Sequence, residues 1–566
     1  MGPGDPMSQR AAGGRPSRRG LLAAAGTIAV ITLVARIVGF GRWFAFSHSV
    51  GATCVGSVYQ SVNAVPNVLF EIAAGGVLAA VAVPLVATSL ARGDRSQADA
   101  TASALLTWAV VVLVPLAIVV TLAARPIAGA LLGTGCAGEV ALGAELLVVF
   151  AVQIPLYGVA IVLAGVLQSH QRFVGAAVAP LLSSLVVIAT YLLYRSLVPL
   201  PAAAIADVPT GAVAVLGVGT TLGVVALGLP LLVPVRRAGI RLRARLRFPQ
   251  GAGRRVRALA LAGLLAVAGQ QLATLVVIRI ANDRGGPGTL NVYTYAQAVT
   301  LLPYAVLAVP LATAAFPSLA GAHAASSVPG GAPAAEATLR RAWLATVVVS
   351  LFGAAALVAV AVPVGSFFQS LDAGSGSQTS LRTLAAMGDA VTLFAPSVVA
   401  LAVIGLLARA SYVRGAALAA GALAAAGWLA TAVMPLLLLD PAGASGPATV
   451  RALGAGSSLG LALGAVLLVV LVGRTWGWAA LSLPPRPLVA ALTGSVVAAG
   501  TGRAVASWLS VSGVGHSLGS SLLVGVGVGV LALAVMIGLA LAVDPSLVAR
   551  VRRARGVQAA AQETVP

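Results

Sequence analysis

Residues Ala35–Pro84 read ARIVGFGRWFAFSHSVGATCVGSVYQSVNAVPNVLFEIAAGGVLAAVAVP. The stretch is apolar enough to enter a bilayer twice, yet it carries Arg36, Arg42, His48 and Glu71. An ionisable group at membrane depth costs several kcal/mol unless it faces a wet cavity or a partner, so these positions are site candidates from the outset. Pro66 cannot donate to a helical ladder. Asn67 adds an amide beside it, and Glu71 follows Asn67 by one turn on the same helix face. Tyr59, Gln60 and Asn63 extend that polar face.

The rest of the chain makes the membrane reading general. Of 566 residues, 59% are hydrophobic and only 9% charged, against roughly a quarter charged in a soluble domain. Apolar runs of about 20 residues recur along the whole length, each long enough to cross a ~30 Å hydrocarbon core. Alternating strand patterns are absent, and a helix satisfies its backbone polar groups within itself, so the fold class is all-α integral membrane. The net charge of +21 does not indicate nucleic acid, because the basic residues, all arginine, sit between apolar runs rather than on one soluble face. There is no GxxxxGK[ST] and no HExxH, and the few histidines and acids are scattered, so neither an enzyme nor a cofactor is expected. Cys54 and Cys136 fall in connections expected outside the membrane; the expectation is two unpaired thiols, with a single bridge as the alternative.

Hydropathy, read with glycine, proline and charge breaks, divides the chain into about fourteen spans. A basic tail (1–20) precedes a six-helix bundle (21–235), and a basic linker (236–257) leads to a second bundle. That second bundle has five helices in 258–438 and its sixth in 449–473; two additional helices (486–543) and a tail (544–566) complete the order. The segment PSRRGLLAAAGTIAVITLVA (16–35) is similar to a secretory signal but is read as an uncleaved first helix, anchored by Arg10, Arg15, Arg18 and Arg19. Connections holding Arg92, Arg95, Arg172, the 236–257 cluster, Arg340, Arg341, Arg414, Arg474 and Arg486 alternate with sparsely charged ones. The positive-inside rule then puts both termini in the cytoplasm. The linker RRAGIRLRARLRFPQGAGRRVR (236–257) alternates arginine with Ile, Leu and Phe, which suits either an anionic lipid surface or a topology-setting connection.

An internal repeat supports two bundles. VYQSVNAVPNVLFEIAAGGVLAAVAVPLVA (58–87) is echoed by VYTYAQAVTLLPYAVLAVPLATAAFPSLA (292–320), and GVLQSHQRFVGAAVA (165–179) by GLLARASYVRGAALA (405–419). The offsets, 237 residues between Pro66 and Pro303 and 240 between Gly165 and Gly405, each equal one six-helix unit. Repeats separated by an even number of spans are related by an axis along the membrane normal and hold substrate between them near the midplane.

Arg36 and Arg42 are separated by a stretch containing Gly39 and Gly41, which loosen the helix. A guanidinium fork matches phosphate oxygens and stays charged when desolvated, so the pair suits a diphosphate. Snorkelling to the interface is the competing reading, although Arg36 lies about 22 Å along the helix from Leu21 at 1.5 Å per residue. Glu71 is either an ion-pair partner of these arginines or a protonatable transport site. In the second bundle the polar set is Gln270, Gln271, Tyr295 and Gln297; Arg279, beside Asp283 and Arg284, is expected to anchor a helix end, and so is Arg409. The substrate-binding candidates are Arg36, Arg42, Asn67, Glu71 and Gln297.

Four segments in order resemble the MurJ/MviN family of lipid-linked precursor flippases: ARIVGFGR in the first span, VPNVLFEIAAGGVLAAVAVP in the second, GVLQSHQRFVGAAVAP at the fourth-to-fifth junction, and LPYAVLAVPLATAAFPSLA with LLARASYV in the eighth and tenth. The family's two opening arginines carry over onto Arg36 and Arg42. Its pattern departs at Ser57, Phe70 and Ala298, where family members carry charge. The resemblance implies alternating-access movement of a polyprenyl-diphosphate-linked peptidoglycan precursor, with the last two helices forming a groove for the lipid tail. The partners so implied are that precursor and membrane lipids, with cell-wall synthesis or division proteins as candidates, in a monomer. The alternatives are export of another polyprenyl-diphosphate-linked glycan or a small amphipathic compound, and a non-transporting scaffold for cell-wall synthesis.

Overall fold

The computed structural model describes residues 18–72, 86, 89–90, 92–133, 135–199, 204–247, 253–325, 332–372, 378–440 and 445–543. Most of the tail 1–20, the whole tail 544–566 and the Ala73-Ala74-Gly75-Gly76 run of the second span lie outside them. The described residues are helical with no strands, and thirteen helical segments among them are long and apolar enough to cross a membrane. The remaining expected crossing is described for Cys54–Glu71 and Ile72 only.

The first unit consists of α1 (Arg18–Ser49), α2 (Cys54–Glu71), α3 (Arg95–Leu122), the short α4 (Ala124–Leu131), α5 (Glu139–Ala151), α6 (Gln153–Ser169), α7 (Phe173–Leu197), α8 (Thr210–Gly228) and α9 (Leu232–Arg237). The second comprises α10 (Gly253–Gly285), α11 (Thr289–Pro303), α12 (Val309–Ala325), α13 (Ala332–Asp372), the short α14 (Gln378–Ala385), α15 (Met387–Val413), α16 (Ala417–Leu438) and α17 (Gly446–Trp476). Helices α18 (Pro485–Val511) and α19 (Leu518–Val543) follow. Breaks fall where proline or a polar residue interrupts the ladder. α5 and α6 share one crossing divided at Val152, and a wider π-turn at Tyr304–Ala308 follows Pro303 and separates α11 from α12. α13 is a single helix of 41 residues.

α1 and α10 both rise from the arginine-rich end, and each six-crossing unit keeps that sense. Within the first unit α1 packs on α7, α2 on α5, α3 on α6 and α7 on α8; within the second α13 packs on α15, α15 and α16 on α17, and α10 on α16. α18 and α19 lie against α13, where Ala359, Ala498, Ala506, Val528 and Ala532 form their own small core. Small residues set these crossings, because lipid tails offer no hydrophobic penalty to drive helices together and close backbone approach must do it instead. A Cβ on Gly427 would stand 2.7 Å from the Cα of Gly464, and one on Gly460 would meet the backbone of Ala430 and Thr431.

Cys54 and Cys136 form a disulfide, which corrects the expectation of unpaired thiols. The two are 82 residues apart in sequence, but the packing of α2 on α5 brings their Cα atoms to 6.2 Å, within bridging range. This end of the molecule is called the disulfide end below, and the opposite one the basic end.

Gly460→Ala is expected to cost about 1–3 kcal/mol by overpacking against backbone that cannot rotate away. Gly527→Ala, where nothing lies within 4 Å, is expected to be neutral. Thermal unfolding of the two purified variants in detergent distinguishes them.

Candidate functional site

Where the two units meet, hydrogen bonds cross from each to the other. At the disulfide end the Ala52 N–H donates to Asp372 Oδ2 (2.9 Å), the Gly288 N–H to Ser57 Oγ (2.8 Å), and Asn291 Nδ2 to the Gly51 carbonyl (2.8 Å). Asn282 Nδ2 reaches both Ser61 Oγ (2.8 Å) and the Leu131 carbonyl (2.9 Å), and the Arg279 guanidinium donates to the Leu132 carbonyl while pairing with Asp283. Asp372, Asn282 and Asn291 are buried, so each bond compensates the cost of withdrawing a polar group from water.

An aromatic plate backs this seam. Phe44 of α1 meets Phe367 of α13 at 5.0 Å between ring centroids, Tyr295 of α11 stacks on Phe368 at 5.0 Å, and Phe46 lies between Tyr59, Tyr191 and Tyr295. The units are thus closed against each other at the disulfide end by hydrogen bonds and rings together.

On the basic-end side of the seam lies a cavity of about 190 Å³ between α2, α10 and α11. Gln60, Asn63, Asn67 and Glu71 line it from α2, spaced three or four residues apart so that they share one helix face. Gln271 and Thr274 face them from α10, and Tyr293, Thr294 and Gln297 from α11. Asn67 is fixed twice: its Nδ2 donates to the Asn63 carbonyl (2.7 Å) and its Oδ1 accepts from Tyr157 Oη (3.0 Å). Gln297 Nε2 donates to Tyr293 Oη (3.2 Å). Asn63 Oδ1 is buried with no hydrogen-bond partner among the described residues. Glu71 is the one charged residue in this lining.

Of the five sequence candidates, the structure therefore brings Asn67, Glu71 and Gln297 to one cavity. Arg42 is half-buried behind its wall, with its guanidinium 5.8 Å from the Trp43 ring and in electrostatic reach of Tyr157, the tyrosine that holds Asn67. Arg36 is exposed, one and a half turns nearer the basic end, and does not line the cavity. Neither arginine forms an ion pair with Glu71 among the described residues. Tyr59 and Tyr295, read from sequence as cavity-facing, are buried away from it: Tyr59 Oη bonds Tyr191 and Thr220 inside the first unit. Arg279, expected to anchor a helix end, reaches across the seam to the Leu132 carbonyl.

Sequence reasoning missed the seam. Its signal is an Asn or Asp near a helix end (Asn282, Asn291, Asp372), and only the assembled pair of units shows what each one meets. Two family departures acquire a local reason: Ser57 is small enough to accept from the Gly288 backbone, and Phe70 lies on Tyr157 at 4.5 Å between ring centroids.

Residues 46–527 match the sequence pattern of the family described as Lipid II flippase MurJ. The chain belongs to that family. It is 27% identical over 305 residues to a probable lipid II flippase MurJ of Rhizobium meliloti (strain 1021), an alignment spanning 52% of this chain and about half (54%) of that protein. Its fold is similar to a lipid II flippase MurJ in an inward closed conformation, with a TM-score of 0.67 at 14% identity, covering 90% of this chain and 98% of the other. It is also similar to an inward-facing multidrug resistance MATE family transporter of the MOP superfamily, with a TM-score of 0.61 at 15% identity, covering 79% and 98%. A MOP superfamily transporter from Pyrococcus furiosus shares the fold too, at a TM-score of 0.54 and 17% identity over 81% and 96%.

Two outcomes follow from the seam. Cys54 and Cys136 are expected to resist alkylation until reduced, and Cys54→Ser to leave Cys136 reactive, read by thiol labelling of the denatured protein. Asn282→Ala leaves Ser61 Oγ and the Leu131 carbonyl without their donor, a penalty of about 1–3 kcal/mol on the closed arrangement. A cysteine placed at Gln297 is then expected to react faster with an impermeant thiol reagent applied from the disulfide side.

Proposed function

We propose that this protein is a lipid II flippase of the bacterial cytoplasmic membrane, moving a polyprenyl-diphosphate-linked peptidoglycan precursor from the inner to the outer leaflet by alternating access. The observation that carries the reading is the polar cavity between two same-sense units, sealed at one end by bonds that cross between them. In such an architecture substrate enters from the open side, and exchange of the seal from one end to the other moves it across. Arginine enrichment supports placing the basic end, with both termini, in the cytoplasm. The disulfide supports the same orientation, since such bonds persist in an oxidising compartment.

Gln60, Asn67 and Gln297 in the lining offer neutral hydrogen bonds to a sugar or peptide headgroup. Arg42, behind Tyr157, and Arg36, toward the cytoplasmic mouth, are the cations for the diphosphate. A cavity of about 190 Å³ is too small for a sugar–peptide headgroup, so loading requires the units to spread at the basic end. A second reading is export of a cationic amphipathic compound, favoured by Glu71 being the one charge in the lining.

The test is complementation of a strain depleted of its own precursor flippase, at matched membrane expression. The wild type is expected to restore growth, and Arg36→Ala and Arg42→Ala to fail. Rescue by all three removes the arginines from the site. No rescue by the wild type, together with efflux of a cationic dye that Glu71→Gln abolishes, moves the assignment to the second reading.

A further inference from the structure

We propose that the extended strip Ile240–Arg247, docked on α3 beside α9, is a binding site for the phosphate headgroup of an anionic phospholipid. It lies outside the cavity between the units and does not rest on the flippase reading.

The strip is built, not merely basic. The backbone N–H groups of Arg241, Arg243 and Arg245 donate to Asp99 Oδ2 (3.2 Å), Ser103 Oγ (3.1 Å) and Thr107 Oγ1 (2.9 Å), and Trp108 Nε1 donates to the Leu246 carbonyl (2.8 Å). The acceptors recur every four residues along a helix, about 6 Å, and the donors every two along an extended chain, about 6.6 Å. The two repeats match, so one helix face holds the strip in register, and Arg241, Arg243, Arg245 and Arg247 are left exposed.

Beside the strip is a cavity of about 460 Å³, lined by Arg236, Arg241 and Arg243 together with Leu106, Leu232 and Leu242 among others. None of the three guanidiniums takes part in an ion pair among the described residues, and the Asp99 carboxylate accepts from strip backbone. Three cations beside apolar walls fit a ligand that joins an anion to hydrocarbon. The site also stands at the right depth. α3 passes from the polar RSQADATAS (95–103) into an apolar run, with Trp108 42% exposed at the boundary and Val110–Val112 outward beyond it. Headgroups and interfacial tryptophans share that level. A guanidinium fork matches two phosphate oxygens at once, which a purely topological charge would not require.

The experiment is native mass spectrometry of the detergent-purified full chain, titrated with phosphatidylglycerol, phosphatidylcholine or inorganic phosphate. The wild type is expected to retain phosphatidylglycerol over phosphatidylcholine. Arg241→Gln/Arg243→Gln is expected to weaken that retention roughly tenfold or more, given the contribution of each arginine at an anionic surface. Ser103→Ala/Thr107→Ala, which frees the strip without changing charge, is expected to weaken it as well, and Arg340→Gln/Arg341→Gln to leave it intact. Equal loss in the Arg340/Arg341 variant, or full retention in the Ser103/Thr107 variant, overturns the proposal in favour of net charge alone. Inorganic phosphate binding as tightly as the lipid overturns it in favour of a free-anion site. Melting midpoints without lipid check that each variant is folded; should the Ser103/Thr107 pair fail, Arg241→Lys/Arg243→Lys keeps the charge and loses the fork, with weakened retention expected and unchanged retention overturning the proposal.

Discussion

A polar group inside a bilayer must find its partner within the protein, and here that constraint is met between the two units. Asp372, Asn282, Asn291, Ser57 and Ser61 each make a hydrogen bond to a group of the other unit. Neither unit alone can bury this surface without leaving donors and acceptors unpaired, at a cost of about 1–3 kcal/mol for each such group. The closed disulfide end, the cavity beneath it and the position of the aromatic plate all follow from that requirement.

The chemistry inside each unit is different. There, Gly427, Gly460 and Gly464 let backbones touch, and the contacts are apolar and close-packed. Such contacts cannot be exchanged for water without opening voids, whereas a hydrogen bond at the seam can trade its partner for water or a ligand once the surfaces part. Hydrogen bonds at the interface between the units are of the kind that alternating access can exchange.

Charge is distributed by the same logic. Arginines outside the hydrocarbon are abundant at one end and carry out two tasks, orientation and the ordered strip along α3. Within the membrane they are few. The Arg42 guanidinium lies 5.8 Å from the Trp43 ring, and Glu71 is part of the cavity lining. The ion triad of Arg451, Asp389 and Arg503 at the disulfide end ties α18 to α15 and α17, so the two additional helices belong mechanically to the second unit.

The sequence by itself determined the all-helical membrane class and one face of the cavity. The hydropathy period and the three-or-four-residue spacing from Gln60 to Glu71 are local properties of a helix, and a helix forms within its own segment. Local pattern also tied Asn67, Glu71 and Gln297 to one region through the Pro66 and Pro303 repeat. It could not say that Tyr59 and Tyr295 turn away, that Cys54 meets Cys136, or that Asn282 and Asp372 hold the units together. Those facts depend on which helix faces which across 82 to 320 residues of chain, and only tertiary packing decides that.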